Sequence, residues 1–192
     1  MTEESGKYKN IHQQVIDKCR NGDSKAQFEL YRLYYKAMFN TCLRIVGDPL
    51  EAEDVMQESF FKAFDKLSTY RNEVSFGAWL KRIVVNSSID ALKKRRVTFS
   101  PIETAYSLKE EELNADLDID SVDLIKSAIE KLPEGYKTVI NLHLIEEYNH
   151  NEIAEMLGIS ESTSRSQLAR AKQKLIEIIT RSYPNTNTNG KT

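Results

Sequence analysis

The sequence predicts an all-α protein made of two small helical domains joined by an acidic segment. Only 7 glycines and 4 prolines occur among its 192 residues, which argues against a loop-rich β fold. Apolar residues recur at spacings of three and four along most of the chain, as they do in helices that bury one face. No stretch alternates with a period of two for long enough to predict a strand.

The charges divide the chain into parts. Residues 1–96 carry 17 basic and 13 acidic side chains, whereas residues 97–123 carry 1 basic and 8 acidic side chains. The acidic stretch is poor in apolar residues, and it is either a solvated loop or a segment that mimics nucleic acid or runs through a basic channel in a partner. We therefore predict a first domain, an acidic linker, a second domain and a disordered tail, with the boundaries 1–96, 97–121, 122–182 and 183–192.

The first domain contains three predicted helices. The first spans residues 24–46 and stops at Gly47, with these apolar residues on one face: Phe28, Tyr31, Tyr35, Met38, Cys42 and Ile45. Asp48 is the predicted N-cap of the second helix, which ends near Leu67. Ser75 is the predicted N-cap of the third helix, which ends in the basic run KKRR.

The second and third helices carry faces of opposite charge. Glu51, Asp54 and Glu58 recur at spacings of three and four, and because carboxylates repel DNA this face meets either water or a basic protein surface. On the third helix an aromatic residue and hydrogen-bond donors share one face: Trp79, Arg82, Asn86 and Lys93. Basic groups follow phosphates and aromatic rings stack on unpaired bases, although a lone tryptophan is more often part of a core.

The second domain contains four predicted helices, and the last two form a helix-turn-helix. Gly158 lies at the predicted turn, and Ser160 is the predicted N-cap of the helix that follows. That helix displays groups that suit base edges and phosphates in the major groove: Thr163, Arg165, Ser166, Gln167, Arg170, Lys172 and Lys174. The alternative is a helical hairpin with a solvated basic face. The four helices span about 121–131, 134–145, 149–157 and 160–180.

Three segments in this order resemble the extracytoplasmic-function (ECF) branch of bacterial sigma factors, the promoter-recognition subunits of RNA polymerase. They are DPLEAEDVMQESFFKAF, FGAWLKRIVVNSSIDALKKRR and LPEGYKTVINLHLIEEYNHNEIAEMLGISESTSRSQLARAKQKL. The resemblance covers residues from about 20 to 180. It implies that the chain binds core RNA polymerase and directs promoter-specific initiation, that it is a monomer when free, and that a cognate anti-sigma factor inhibits it.

The resemblance also implies roles for three sets of residues. The first set docks on the clamp of the largest polymerase subunit: Asp54, Gln57, Glu58 and Phe61. The second set melts and reads the −10 element, with the loop around 70–74 capturing a flipped base: Tyr70, Arg71, Asn72, Trp79, Arg82, Asn86, Asp90, Lys93, Lys94, Arg95 and Arg96. The third set reads the −35 duplex: Ser160, Ser162, Thr163, Arg165, Ser166, Gln167, Arg170 and Lys172. The linker would pass near the RNA exit path.

Two positions depart from the family pattern. Ser164 stands where a helix-turn-helix usually has an apolar residue, and Gln167 replaces a frequent arginine.

Other function classes fit the sequence less well. A helix-turn-helix regulator that never joins polymerase is the main alternative, but it leaves the faces of the first domain unexplained. The chain has no glycine-rich phosphate loop, nucleophile motif or metal-ligand cluster, so we expect no enzyme, no small-molecule substrate, no cofactor and no metal. No apolar run approaches the roughly 18 residues of a membrane span, and the start MTEESGKYKN lacks a signal core, so we expect a cytoplasmic protein.

The formal net charge of −2 predicts that the chain alone binds promoter DNA weakly and loses it readily as salt is raised, because affinity follows the number of phosphates neutralised. With core polymerase both basic faces act together and the binding becomes specific. Fluorescence anisotropy at physiological salt, with and without core enzyme, measures the difference. Tight sequence-specific binding by the chain alone would contradict this prediction.

Overall fold

The computed structural model describes residues 8–95 and 119–182, and describes side chains in the second range from 123 to 181. Eight α-helices occur in these ranges, and no strand does. The predicted all-α class is therefore confirmed.

Two helical units make up the chain, Met1–Ser100 and Pro101–Thr192. This division confirms two domains, and each is described below by itself. The predicted linker 97–121 lies mostly outside the described residues, and the predicted tail 183–192 lies wholly outside them.

The first unit is built on three long helices that pack against one another, with a short helix on one of them. Gly47 ends α2 in the left-handed region at φ 79°, as predicted, and the Asp48 side chain caps α3 by accepting from the Glu51 N–H at 2.9 Å. A 3₁₀ turn follows α3, and the short helix α1, which packs on α2, was not predicted from the sequence. The helices are α1 (Gln13–Arg20), α2 (Ser24–Val46), α3 (Pro49–Asp65) and α4 (Phe76–Arg95).

The buried face of α2 differs from the predicted one. Phe28 and Tyr35 are exposed, whereas Ala26 and Leu30 are buried. The prediction was wrong there because α2 packs against α1, α3 and α4, and in its first half this packing buries Ala26 and Leu30 instead of the predicted stripe. In the carboxy-terminal half of α2 the predicted residues Met38, Cys42 and Ile45 are buried.

The second unit packs three short helices against one long one. α6 continues into a π-helical turn at Asn141–Ile145, within the span where the sequence predicted one helix. Each of α5, α6 and α7 contacts α8, so the long helix is the spine of this domain. The helices are α5 (Ile119–Glu130), α6 (Glu134–Ile140), α7 (His150–Leu157) and α8 (Glu161–Ser182).

Candidate functional site

The outer side of α3 presents carboxylates between two large apolar side chains. Its inner side is buried through Ala52, Val55, Met56, Ser59, Phe60 and Ala63. Phe61, 71% exposed, lies at one end of the outer side, and Leu50, 76% exposed, lies at the other. These four residues share one face because they are spaced by four, three and four: Leu50, Asp54, Gln57 and Phe61. The sequence analysis missed Leu50, although its spacing from Asp54 is the signal that could have identified it.

Glu58 lies next to this stripe and is held in its charged form. Its carboxylate accepts from Lys62 Nζ at 2.9 Å, and that hydrogen bond and the lysine's charge lower the pKa of Glu58. Lys62 Nζ also donates to Ser87 Oγ on α4 at 3.2 Å. Glu58 therefore stays in its charged form, and Lys62 ties this part of α3 to the helix that carries the basic residues.

Among the basic residues of α4, Arg95 contacts the neighbouring helices of its own domain. Arg95 pairs with Glu51 at 2.8 Å and donates to the Val46 carbonyl at 3.3 Å, so it anchors the end of α4 to α2 and α3. The other predicted DNA-contacting residues on this helix that are exposed are Arg82, Asn86, Asp90, Lys93 and Lys94. Arg96 lies outside the described residues.

Tyr70 and Trp79 belong to the core more than to the surface. Tyr70 is only 3% exposed, and the ring of Trp79 packs at 5.2 Å from it and 5.6 Å from Phe76. The expectation that Tyr70 contacts DNA is therefore not supported by this conformation, because its ring faces the interior. Half-buried Trp79 supports the same cluster with one face.

The loop after the 3₁₀ turn adopts an unusual backbone. Asn72 has φ 60°, in the left-handed region that asparagine tolerates better than most residues. Arg71 and Glu73 on either side of it are exposed. The structure thus places Arg71 at the surface, Asn72 half-buried and Tyr70 beneath them.

The predicted helix-turn-helix is present. Asn149 and Glu152 form a reciprocal capping box at the start of α7, and Gly158 ends that helix in the left-handed region at φ 70°. Ser160 then caps α8 by accepting from the Thr163 N–H at 3.0 Å. Of the predicted duplex-reading residues on and before α8, none is buried: Ser160, Ser162, Thr163, Arg165, Ser166, Gln167, Arg170 and Lys172.

Two of the duplex-reading side chains have contacts within α8. Arg165 pairs with Glu161 one turn earlier at 2.6 Å, and Ser166 Oγ donates to the Thr163 carbonyl at 3.0 Å. Because the Arg165–Glu161 pair is exposed, it is worth little on its own. The arginine can therefore exchange this partner for a phosphate or a base.

The departure at Ser164 has a structural reason. This side chain is fully buried, and its Oγ lies 2.9 Å from His150 Nδ1 at the start of α7. The His150 ring stacks on His143 at 4.5 Å, which connects α8 to the π-helical turn. A polar residue thus joins the two helices where an apolar one is usual.

No helix in the described residues is long and apolar enough to cross a membrane. Among the same residues no group of three or more His, Cys, Asp or Glu side chains could hold a metal ion.

Comparison with known proteins assigns both units. A family model described as Sigma-70 region 2 matches residues 30–98, and one described as Sigma-70, region 4 matches residues 123–175. The ECF RNA polymerase sigma-E factor of Haemophilus influenzae is 30% identical, over 85% of this chain and 92% of the relative. The chain belongs to the ECF sigma factors. SigW of Bacillus subtilis, also an ECF sigma factor, is 29% identical over 83% of this chain and 92% of the relative.

Solved structures show the same fold. CnrH, crystallised with the cytosolic domain of CnrY, has a TM-score of 0.51 and 22% identity, over 88% of this chain and 97% of CnrH. The sigma factor RpoE of Bartonella quintana, bound to the anti-sigma factor NepR, has a TM-score of 0.50 and 22% identity, over 79% of this chain and 94% of RpoE.

As a member of this family, the chain binds core RNA polymerase and promoter DNA and directs transcription initiation. The family is one of transcription regulators rather than of catalytic enzymes. The region 2 match accounts for the first domain, which a regulator that never joins polymerase leaves unexplained.

The contact between Ser164 and His150 predicts a local stability effect. Ser164→Ala should weaken the packing of α7 on α8 by about 1 kcal/mol, the usual net value of a hydrogen bond. Hydrogen exchange of peptides from both helices in the full chain measures it. Ser127→Ala, at an exposed serine on α5, is the matched control, and equal protection in the two variants would contradict the prediction.

Proposed function

We propose that this ECF sigma factor docks on the clamp of the largest polymerase subunit through the outer side of α3. The residues are Asp54, Gln57, Glu58 and Phe61, with Leu50 extending the surface. Exposed Phe61 and Leu50 carry this proposal, because an apolar side chain gains free energy when a partner covers it. The ionised carboxylates between them favour a basic protein surface and disfavour DNA.

We propose that the 70–74 loop and α4 read the −10 element as an unpaired strand, and that α8 reads the −35 element as duplex. Exposed Arg71, Arg82 and Asn86 support the first role, since they offer hydrogen-bond donors beside a basic helix end. The capped, exposed start of α8 supports the second role, because such a helix fits the major groove. In the first role Tyr70 and Trp79 shape the loop from below.

Further expectations rest on the same assignment. The segment 97–121 would pass near the RNA exit path when polymerase is bound. We infer that an anti-sigma factor binds this chain, as NepR binds RpoE, and holds it inactive. The free chain would be a cytoplasmic monomer without catalytic activity, a cofactor or a metal.

Reversing the charge of the α3 face tests polymerase docking. Asp54→Lys combined with Glu58→Lys should abolish binding to core polymerase and leave the fold intact, since both carboxylates are exposed. Analytical gel filtration with core enzyme measures binding, and circular dichroism measures folding.

Glu29→Lys combined with Glu155→Lys is the matched control, because it makes the same charge change at exposed positions outside α3. The docking assignment is wrong if the α3 variant still co-elutes, or if both variants lose binding equally.

A single substitution on α8 tests duplex reading. Arg165→Ala should weaken binding of the polymerase complex to its best −35 sequence by roughly 1–3 kcal/mol if the guanidinium contacts a base. Affinities for that duplex and for single-base variants of it separate the two possible roles. An equal loss on every sequence would make Arg165 a phosphate contact.

A further inference from the structure

The amino-terminal segment holds the loop that we propose reads the −10 base. This segment, from Tyr8 to Arg20, precedes the residues that the region 2 family model matches. Its side chains and backbone nevertheless form hydrogen bonds with residues 70–76, some fifty to sixty positions later in the chain. The loop is therefore built from two distant parts of the sequence.

Asn10 is the centre of this contact, and it is only 7% exposed. Its Nδ2 donates to the Tyr70 hydroxyl at 2.9 Å and to Gln13 Oε1 at 3.1 Å. Its Oδ1 accepts from the Phe76 N–H, the first residue of α4, at 2.8 Å. Both amide donors and the amide oxygen are thus used, so the side chain fixes the loop's base and the start of the helix together.

The loop backbone is held at alternate residues. The Tyr70 carbonyl accepts from Arg20, and the Asn72 carbonyl accepts from the Tyr8 N–H at 2.6 Å. The Val74 carbonyl accepts from the Tyr70 hydroxyl at 2.6 Å. Burial raises the pKa of that phenol, so it keeps the proton that it donates.

The side chains of Arg71 and Glu73, which lie between these hydrogen-bonded residues, can contact a partner. Arg71 and Glu73 are exposed, and neither takes part in the hydrogen bonds that hold the loop's carbonyls. A loop fixed at alternate carbonyls presents its remaining side chains in one arrangement. Binding to a fixed loop avoids the entropy cost of ordering it in the complex.

We propose that Asn10 is a positioning residue for −10 recognition: it sets the base preference of the 70–74 loop through Tyr70 and Phe76 without touching DNA. This inference rests on the proposed function of that loop. Asn10→Ala should therefore reduce affinity for the preferred single strand by roughly tenfold, because a loop that has lost these hydrogen bonds must be ordered on binding. It should reduce affinity for base-substituted strands much less.

The experiment first identifies the preferred strand. The complex of the wild-type chain with bacterial core polymerase is used to select from a pool of single-stranded oligonucleotides with a randomised segment. Affinities for the selected strand and for each of its single-base variants are then measured with the wild-type, Asn10→Ala and Tyr70→Phe complexes. Tyr70→Phe keeps the ring that packs on Phe76 and Trp79 and removes only the hydroxyl.

Controls separate positioning from general damage. Asn40→Ala, at an exposed asparagine on α2, should keep the full base preference. Affinity for core polymerase, measured in the same series, should be unchanged in every variant. The double variant Asn10→Ala/Tyr70→Phe should lose less discrimination than the sum of the two single losses, because Asn10 acts partly through the Tyr70 hydroxyl.

The outcomes distinguish a failure of the proposed −10 role from a failure of the inference about Asn10. A pool that shows no enrichment with the wild-type complex overturns the proposed −10 role and the inference with it. Enrichment followed by unchanged discrimination in Asn10→Ala, or by an equal loss on all strands, overturns the inference alone. If Asn10→Ala does not fold, Tyr70→Phe is judged by the same two criteria.

Discussion

Burial of one side of α3 against α2 and α4 decides which side chains of the first domain can meet a partner. Val55, Met56 and Phe60 fill the interior, so the residues on the opposite side of the helix must face outward. A helix turns by 3.6 residues, and the outward set therefore forms a stripe with apolar ends and an acidic centre. The same core buries the inner side of α4, which leaves Arg82, Asn86 and Asp90 exposed on its outer side. Both proposed functional faces depend on this packing.

Polar contacts join the acidic face of α3 to α4, which carries the basic residues. Lys62 contacts Glu58 on its own helix and Ser87 on α4, and Arg95 contacts Glu51. These pairs are partly exposed, so each adds little stability, but the Arg95–Glu51 pair reduces the positive charge available at the end of α4. A modest basic surface fits the prediction that the chain alone binds promoter DNA weakly.

The sequence predicted the long elements well because their signals are local. Gly47, Asp48 and Ser75 mark helix ends through backbone geometry and caps that involve only neighbouring residues, and the spacing of Asp54 and Glu58 correctly placed both on one exposed face of α3. The π-helical turn after α6 and the buried residues in the first half of α2 were not predictable in this way, because both depend on tertiary packing.

The conformation of the loop before α4 was likewise not predictable from local sequence signals. Tyr70 was expected at the DNA surface because the family resemblance placed it in the loop that captures a flipped base. Its burial depends on Asn10, sixty positions earlier, and on the eight-residue helix α1, whose N-cap His12 makes no side-chain capping bond. Asn10 itself is one polar residue among several near the amino terminus. No local pattern reveals such a contact.

Transcription in vitro tests the central claim most directly. The purified chain is combined with core polymerase and a pool of genomic fragments from the source organism, and the 5′ ends of the RNAs are sequenced. The account predicts new RNAs that begin a fixed distance downstream of a shared two-part motif, absent with core enzyme alone. The absence of any such start sites, with the chain folded and free of inhibitor, would contradict it.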